Sequence, residues 1–330
     1  MQAVDFTEDT LRLLDQRRLP DVEVDLDIAT SEAAAAAIRD MAVRGAPAIG
    51  LAAAYAVALA AREAAAASDP ARTLGACAER IAGARPTAVN LRREVERSLA
   101  ALSGAPEGWY RMALERARAL HEAQRAEDAA MAENALPLFR PGMRVLTHCN
   151  TGALATGGLG TALGAILAAH RRLGLEMVLV DETRPRLQGA RLTAFELGRA
   201  GVSHRVIVDG AAAHFMARGL VDLVLVGADR IGRDGRVANK IGTYGVAVLA
   251  HHHRIPFAVV APRSSCDLLW PGQREVEIEE RDPREVLEIG GRRMASPGSE
   301  AYNPAFDVTP GDLVSAIVRE DGLFRAPYAF

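Results

Sequence analysis

Residues 142–170 read GMRVLTHCNTGALATGGLGTALGAILAAH. The stretch passes from a short apolar run into a Gly/Thr-rich turn and then into an apolar pattern with helical spacing, which outlines a strand, a loop and a helix. Four more apolar runs follow, separated by helical stretches: EMVLVDETR (176–184), HRVIVDG (204–210), DLVLVGADR (222–230) and PFAVVAP (256–262). Strands that are apolar nearly throughout and alternate with helices form a parallel sheet covered on both faces. The expected fold class is therefore α/β, with a doubly wound, mostly parallel, Rossmann-like sheet in the C-terminal part. Such sheets bind ligands beyond the carboxyl ends of their strands, where the strand order reverses. That rule singles out Cys149, Asp181 to Arg184, Asp209 and Asp229.

Before ENALPLFRPG (133–142) the rhythm is helical. The division predicted is a mainly helical domain over 1–136 and a Rossmann-like domain over 137–330. DVEVDLDI (21–28) alternates and suggests a strand. SEAAAAAIRDMAVRG (31–45) suggests a helix capped by Ser31 and stopped at Gly45, and another helix opens with Pro47 in its first turn. TAVNLRREVERSLAAL begins a further helix after Pro86.

A chain of 330 residues, 49% hydrophobic and 25% charged, has enough apolar material for one or two globular cores. Its formal net charge of -3 gives no electrostatic footprint for nucleic acid or an anionic membrane, so a small-molecule partner is expected. Three cysteines, without disulfide or zinc-ligand spacing, fit a reducing compartment. The N-terminal MQAVDFTEDT is acidic rather than apolar, and a cytoplasmic protein is expected. GAPAIGLAAAYAVALAA (45–61), flanked by Arg44 and Arg62, reads as a buried helix rather than a lipid-spanning one.

Neither a dinucleotide fingerprint nor a Gly-Lys-Ser/Thr phosphate loop is present, so no cofactor is expected; Gly157, Gly158, Gly160 and Gly164 read as helix-packing positions. Cys149 stands just ahead of that helical pattern. It is either a thiol activated by a helix N-terminus or a buried structural cysteine. Asp229, at the end of its apolar run, is either a general acid/base or an N-cap. Arg44 before Gly45-Ala46-Pro47 sets a guanidinium beside backbone N–H groups at a helix entry, which reads either as an anion site or as an ordinary turn. Arg85 before Pro86 repeats the arrangement. Gln188, and Asn239 with Lys240, stand at two more helix entries, and the four together suggest a phosphorylated, hydroxyl-rich substrate.

Other features carry blander readings. His251, His252 and His253 are consecutive and do not share a face as metal ligands would, so no metal is expected. Strand alternation points His148 away from Cys149, and Cys77 belongs to a core. Cys266 is an outside candidate. EVEIEERDPREVLE (275–288) reads as a solvated surface with an edge strand. NPAFDVTPGDL (303–313) reads as a turn into a helix capped by Thr309, with Asn303 and Asp307 toward the crevice.

MAVRGAPAIGLAAAYAVALA, ARPTAVNL, LTHCNTGALAT, DETRPRLQGARLTAFEL, DGRVANKIGTYGVAVLA and NPAFDVTP together resemble the methylthioribose-1-phosphate isomerase family, in order and over almost the whole chain. That family is related to the regulatory subunits of the eukaryotic initiation exchange factor and to ribose-1,5-bisphosphate isomerase. The resemblance implies a cofactor-free conversion of 5-methylthioribose 1-phosphate to 5-methylthioribulose 1-phosphate, with Cys149 and Asp229 catalytic. It also implies substrate contacts at Arg44, Gly45, Ala46, Arg85, Gln188, Asn239 and Lys240, and a homodimer. APRSSCD (261–267) departs from the Thr/Ser-rich segment of relatives. Isomerisation of another C1-phosphorylated pentose, such as 5-deoxyribose 1-phosphate or ribose 1,5-bisphosphate, is the neighbouring alternative. A non-enzymatic regulatory subunit is the other.

Overall fold

The computed structural model describes residues 2–85, 89–270 and 276–328 and divides the chain into two compact units. The first comprises 1–126 with 152–160, and the second 127–151 with 161–330. The boundary falls inside a helix, ten residues before the expected position at 136/137. Its second crossing lies in the loop after Cys149, a return that no composition shift announces.

The first unit opens with an antiparallel sheet of β1 (Val4–Thr7), β2 (Thr10–Leu14) and β3 (Asp25–Ile28), in that order. The sequence led us to expect only the last of these. Helices α1 (Ser31–Arg39), α2 (Ala46–Ala65), α3 (Pro70–Ala82) and α4 (Val89–Ala100) follow. Thr30, not Ser31, caps α1, its hydroxyl accepting from the Ala33 N–H at 3.2 Å. Gly45 does not stop α1, which ends at Arg39, but forms the N-cap of α2 with Pro47 in the first turn as expected. α2 is long and apolar enough to span a bilayer, yet it is buried nearly all round because α1, α3 and α4 pack against it. α3 shows the complementary pattern, burying Leu74, Cys77, Ala78, Ile81 and Ala82 as a single stripe.

Helix α5 (Trp109–Ala135) crosses into the second unit, which continues with β4 (Arg144–Thr147), α6 (Ala162–Leu173), β5 (Met177–Asp181), α7 (Ala194–Arg199), β6 (His204–Ile207), α8 (Ala212–Ala217) and β7 (Leu223–Val226). Then come β8 (Arg230–Gly232), β9 (Val237–Lys240), α9 (Thr243–His252), β10 (Phe257–Val260), β11 (Cys266–Asp267) and α10 (Arg284–Leu287). The chain closes with β12 (Glu288–Ile289), β13 (Arg292–Arg293), β14 (Phe306–Thr309), β15 (Ala316–Arg319) and β16 (Gly322–Phe324). The main sheet runs β16-β15-β10-β7-β4-β5-β6, parallel except for the edge strand β16. Its six parallel strands have the doubly wound order, with the first strand β4 at the centre and the reversal between β4 and β7.

Alternate residues of these strands feed two cores. Val145, Val178, Leu223, Ala258 and Val318 join one cluster with α6, while Leu146, Leu179, Val224, Val259 and Ile317 join another with α8 and α9. Burial on both faces is why the strands read as unbroken apolar runs. A second sheet, β11-β8-β9-β14, grows from the chain that follows β7.

Three local expectations are corrected. Gly157, Gly158 and Gly160 lie in a loop, since α6 begins only at Ala162; Gly164 alone is helical. Thr309 ends β14 and caps no helix. The acidic run is not merely solvated: Glu285 accepts from Arg281 and Arg186 at 2.7 Å each, a half-buried ion network.

Candidate active site

In the first unit the entry to α2 is shaped by contact with the 152–160 loop. A Cβ on Gly45, at φ +90°, would lie 2.5 Å from the Ala155 carbonyl oxygen, so glycine is required for both conformation and space. The Ala48 N–H donates to that same carbonyl at 3.2 Å, and the cap has no side-chain hydrogen bond. Among the described residues the N–H groups of Gly45 and Ala46 have no acceptor. Gln16 fixes the surroundings, donating to the Leu154 carbonyl at 2.8 Å and accepting from Arg44 Nε at 3.3 Å. Arg44 is thus anchored beside two N–H groups at a helix N-terminus, an arrangement that suits an anion. Arg85, half-buried, stands in the turn after α3. Its expected helix entry falls in 86–88, outside the described residues.

The second unit places Cys149 two residues beyond β4 and Asp229 three beyond β7, so the two follow the adjacent strands that flank the reversal. The expectation of a helix immediately after Cys149 is corrected, because twelve residues of loop intervene before α6. What holds the thiol is a clamp on its backbone. Its N–H donates to Thr183 Oγ1 at 2.9 Å, and its carbonyl accepts from Thr193 Oγ1 at 2.6 Å. Thr193 is itself held by Asn150 Nδ2, which also donates to Glu196 at 2.7 Å. Cys149 and Thr183 both have φ +64°, in the left-handed region that costs a non-glycine residue about 1 to 3 kcal/mol. Strain of this kind, at two neighbouring strand ends and fixed by hydrogen bonds, is found at functional sites and keeps Cys149 a candidate. Cys149 is buried, at 8% exposure for the residue, whereas Asp229 is exposed.

Gln188 precedes a π-helical turn, Gly189–Thr193, and its Oε1 is buried without a protein partner among the described residues. A buried amide oxygen of this kind is able to accept from a hydroxyl or from water. Asn239 and Lys240 end β9, two residues before α9, rather than opening the helix as expected. Asn239 Nδ2 donates to Thr243 Oγ1 at 3.0 Å, and Lys240 Nζ donates to the Ala305 carbonyl at 2.9 Å above the Phe306 ring. Asp307 accepts from the Gly242 and Tyr244 N–H groups at the start of α9, and burial pushes its carboxyl up. Asn303 is structural, its amide donating to the Asp282 carbonyl and to Glu285.

Sequence reasoning did not find Thr183 and Thr193 as the clamp on Cys149, nor the buried pair His148–Asp181, with Nδ1 and Oδ2 3.0 Å apart. Asp209 joins this pair to the clamp by accepting the Thr183 and Arg184 N–H groups at 2.7 Å each. The available signal was positional: Asp181, Thr183 and Asp209 all lie at carboxyl ends of strands.

The family model for the Initiation factor 2 subunit family matches residues 42–326. Methylthioribose-1-phosphate isomerase from Anaeromyxobacter sp. (strain K) is 52% identical over 98% of this chain and 94% of its own length. The crystal structure of 5-methylthioribose 1-phosphate isomerase from Pyrococcus horikoshii OT3 is similar with TM-score 0.92 at 38% identity, covering 99% of this chain and 93% of that one. The structure of the translation initiation factor eIF-2B, subunit delta, from A. fulgidus gives 0.91 at 41% identity, covering 99% and 97%. The chain belongs to the initiation factor 2 subunit family, among its methylthioribose-1-phosphate isomerases.

Proposed function

We propose that this chain isomerises 5-methylthio-α-D-ribose 1-phosphate to 5-methylthio-D-ribulose 1-phosphate, a step of L-methionine salvage, with Cys149 and Asp229 as its catalytic pair. The observation that carries the residue assignment is their position after β4 and β7, the two strands between which the sheet order reverses. A phosphate on C1 prevents the sugar from opening to a free aldehyde, so ring opening and hydrogen transfer must occur with the phosphate attached. Asp229 supplies a proton to the ring oxygen as its bond to C1 breaks, and Cys149 takes the proton from C2. The C1=C2 enol so formed keeps its phosphate. A proton delivered to C1, with loss of the C2 hydroxyl proton, then completes the ketose. Every electron stays in the substrate, so the route needs no external oxidant.

Arg44 with the Gly45 and Ala46 N–H groups, and Arg85, serve as phosphate ligands in this reading, while Gln188, Asn239 and Lys240 address the hydroxyls. The working form proposed is a cytoplasmic homodimer. Exposed Tyr244 and Val248, one turn apart on α9, offer an apolar face for it.

Cys149→Ser and Asp229→Asn should each lower kcat by orders of magnitude with the fold intact, and the double variant should be little worse than either. Near-wild-type turnover by either single variant would remove that residue from the pair. Turnover in D2O separates two routes: the enol predicts deuterium at C1 of the ketose, whereas a direct hydride shift predicts none. The regulatory reading draws on the similarity to the eIF-2B delta structure. It predicts tight sugar-phosphate binding without turnover.

A further inference from the structure

His148 and Asp181 are 1% and 0% exposed, and the imidazole has an acceptor at each end. Nδ1 lies 3.0 Å from Asp181 Oδ2, and Nε2 lies 2.8 Å from the Ile241 carbonyl oxygen. A carbonyl only accepts, so Nε2 carries a proton. With one proton in total, the ring would then set its bare Nδ1 against a carboxylate oxygen at hydrogen-bond distance in a buried site. The arrangement calls for a second proton, and the ring is the stronger base of the two partners. Three site-bearing segments meet here. His148 adjoins Cys149, Asp181 begins the segment that reaches Gln188, and Ile241 follows Asn239–Lys240. Gly242 closes the other side, since a Cβ there would lie 2.8 Å from His148 Cε1.

We propose that His148 is a positioning residue: a buried imidazolium that, through Asp181 and the Ile241 carbonyl, fixes the segments carrying Cys149, Gln188 and Asn239–Lys240. Burial alone works against a charged ring. The bond to Asp181, that residue's charge, the Ile241 carbonyl and the charge of Asp209 outweigh it and hold His148 above its ordinary range. Burial also pushes the Asp181 carboxyl up, so the pair as a whole retains its proton. Three carboxylates face the ring's surroundings: Asp181 at the end of β5, Asp209 after β6, and Asp307, which caps α9. Lys240 adds an opposing charge beside Asp307, and Arg184 another beside Glu182. Asp181 Oδ1 is buried with no protein partner among the described residues, so its bond to His148 is the chief compensation that carboxylate has for losing water.

The kinetic half of this inference rests on the isomerase reading; the spectroscopic half does not. In protein labelled at its eight histidine rings, with His148 assigned by His148→Gln, the His148 ring should show imidazolium shifts at pH 7. Asp181→Asn keeps the shape and removes the counter-charge. His148 should then lose its imidazolium proton at lower pH than in the wild type, because burial is no longer opposed by the Asp181 charge, and kcat should acquire a limb that falls as pH rises through that titration. His148→Gln should lower kcat/KM by about 10- to 100-fold, the scale of a sub-ångström to 1 Å misplacement. A neutral His148 in the wild type at pH 7, or an Asp181→Asn enzyme whose kcat shows no new pH limb, overturns the proposal. Absence of isomerase turnover by the wild type would defeat the functional reading while leaving the ring's charge state measurable.

Discussion

Replacing Gly189 by alanine tests how tightly the substrate-contact segment is seated. An added Cβ would lie 1.7 Å from the Asp181 carbonyl oxygen at the end of β5, and 3.0 Å from Thr183 Oγ1. The obstacle at closest approach is backbone, so no side-chain rotation relieves it. Moving that contact from 1.7 Å out to 3.0 Å displaces the turn, or the strand end, by about 1.3 Å. Overpacking of this kind costs about 1 to 3 kcal/mol of stability. The displaced atoms carry Gln188 on one side and the Asp181–His148 pair on the other, and a misplacement near 1 Å costs roughly 100-fold in rate. Gly189→Ala should therefore lower kcat/KM on 5-methylthioribose 1-phosphate by about two orders of magnitude and lower the urea midpoint without changing the m-value. Kinetics within a few-fold of wild type, in a protein of unchanged stability, would refute the claim that this contact positions the site.

Four further outcomes are expected. Arg44→Lys should reduce kcat/KM despite the retained charge, because an ammonium does not reproduce a two-pronged guanidinium contact, and sulfate should inhibit this variant less than the wild type. Arg62→Ala is the control: its guanidinium donates to the Asp9 and Ala29 carbonyls, so stability should fall by about 1 to 2 kcal/mol with kcat/KM unchanged. Activity should survive EDTA and dialysis, and restoration of lost activity by zinc would redirect attention to His148, Asp181 and Asp209, whose ligand atoms lie within 4.8 Å of one another. In acid, burial alone would raise Glu285, but Arg281 and Arg186 hold it down at about 2. Its contribution to stability is present above its unfolded pKa of about 4.3 and is lost as pH falls toward about 2. Glu285→Gln should flatten that limb of stability measured by urea unfolding between pH 5 and 2.

The doubly wound sheet was legible because burial on both faces imposes uniform apolar runs, and the switch-point rule then led from those runs to Cys149 and Asp229 without any contact being known. The hairpin β1–β2 was not. Its two-residue turn is Glu8-Asp9, both at positive φ, where a glycine or asparagine would have announced it. Gly157 mimics helical spacing but serves close packing in a loop: a Cβ on it would lie 2.7 Å from Leu51. His148–Asp181 was invisible for another reason. Thr147 pairs with Val180 in the parallel register, which brings the next residue of each strand together across a separation of 33 positions. Which titratable groups meet depends on that register, and composition and periodicity do not encode it.

The most direct test of the central claim is the initial rate of ketose formation, followed by proton NMR, when the purified wild-type chain is given 5-methylthioribose 1-phosphate, 5-deoxyribose 1-phosphate and ribose 1,5-bisphosphate side by side. The account predicts 5-methylthioribulose 1-phosphate, formed with a kcat/KM of about 10⁴ M⁻¹s⁻¹ or more. The 5-deoxy sugar should be turned over more slowly and the bisphosphate scarcely at all. Folded protein that produces no ketose from the methylthio sugar, or that prefers the bisphosphate, would contradict it.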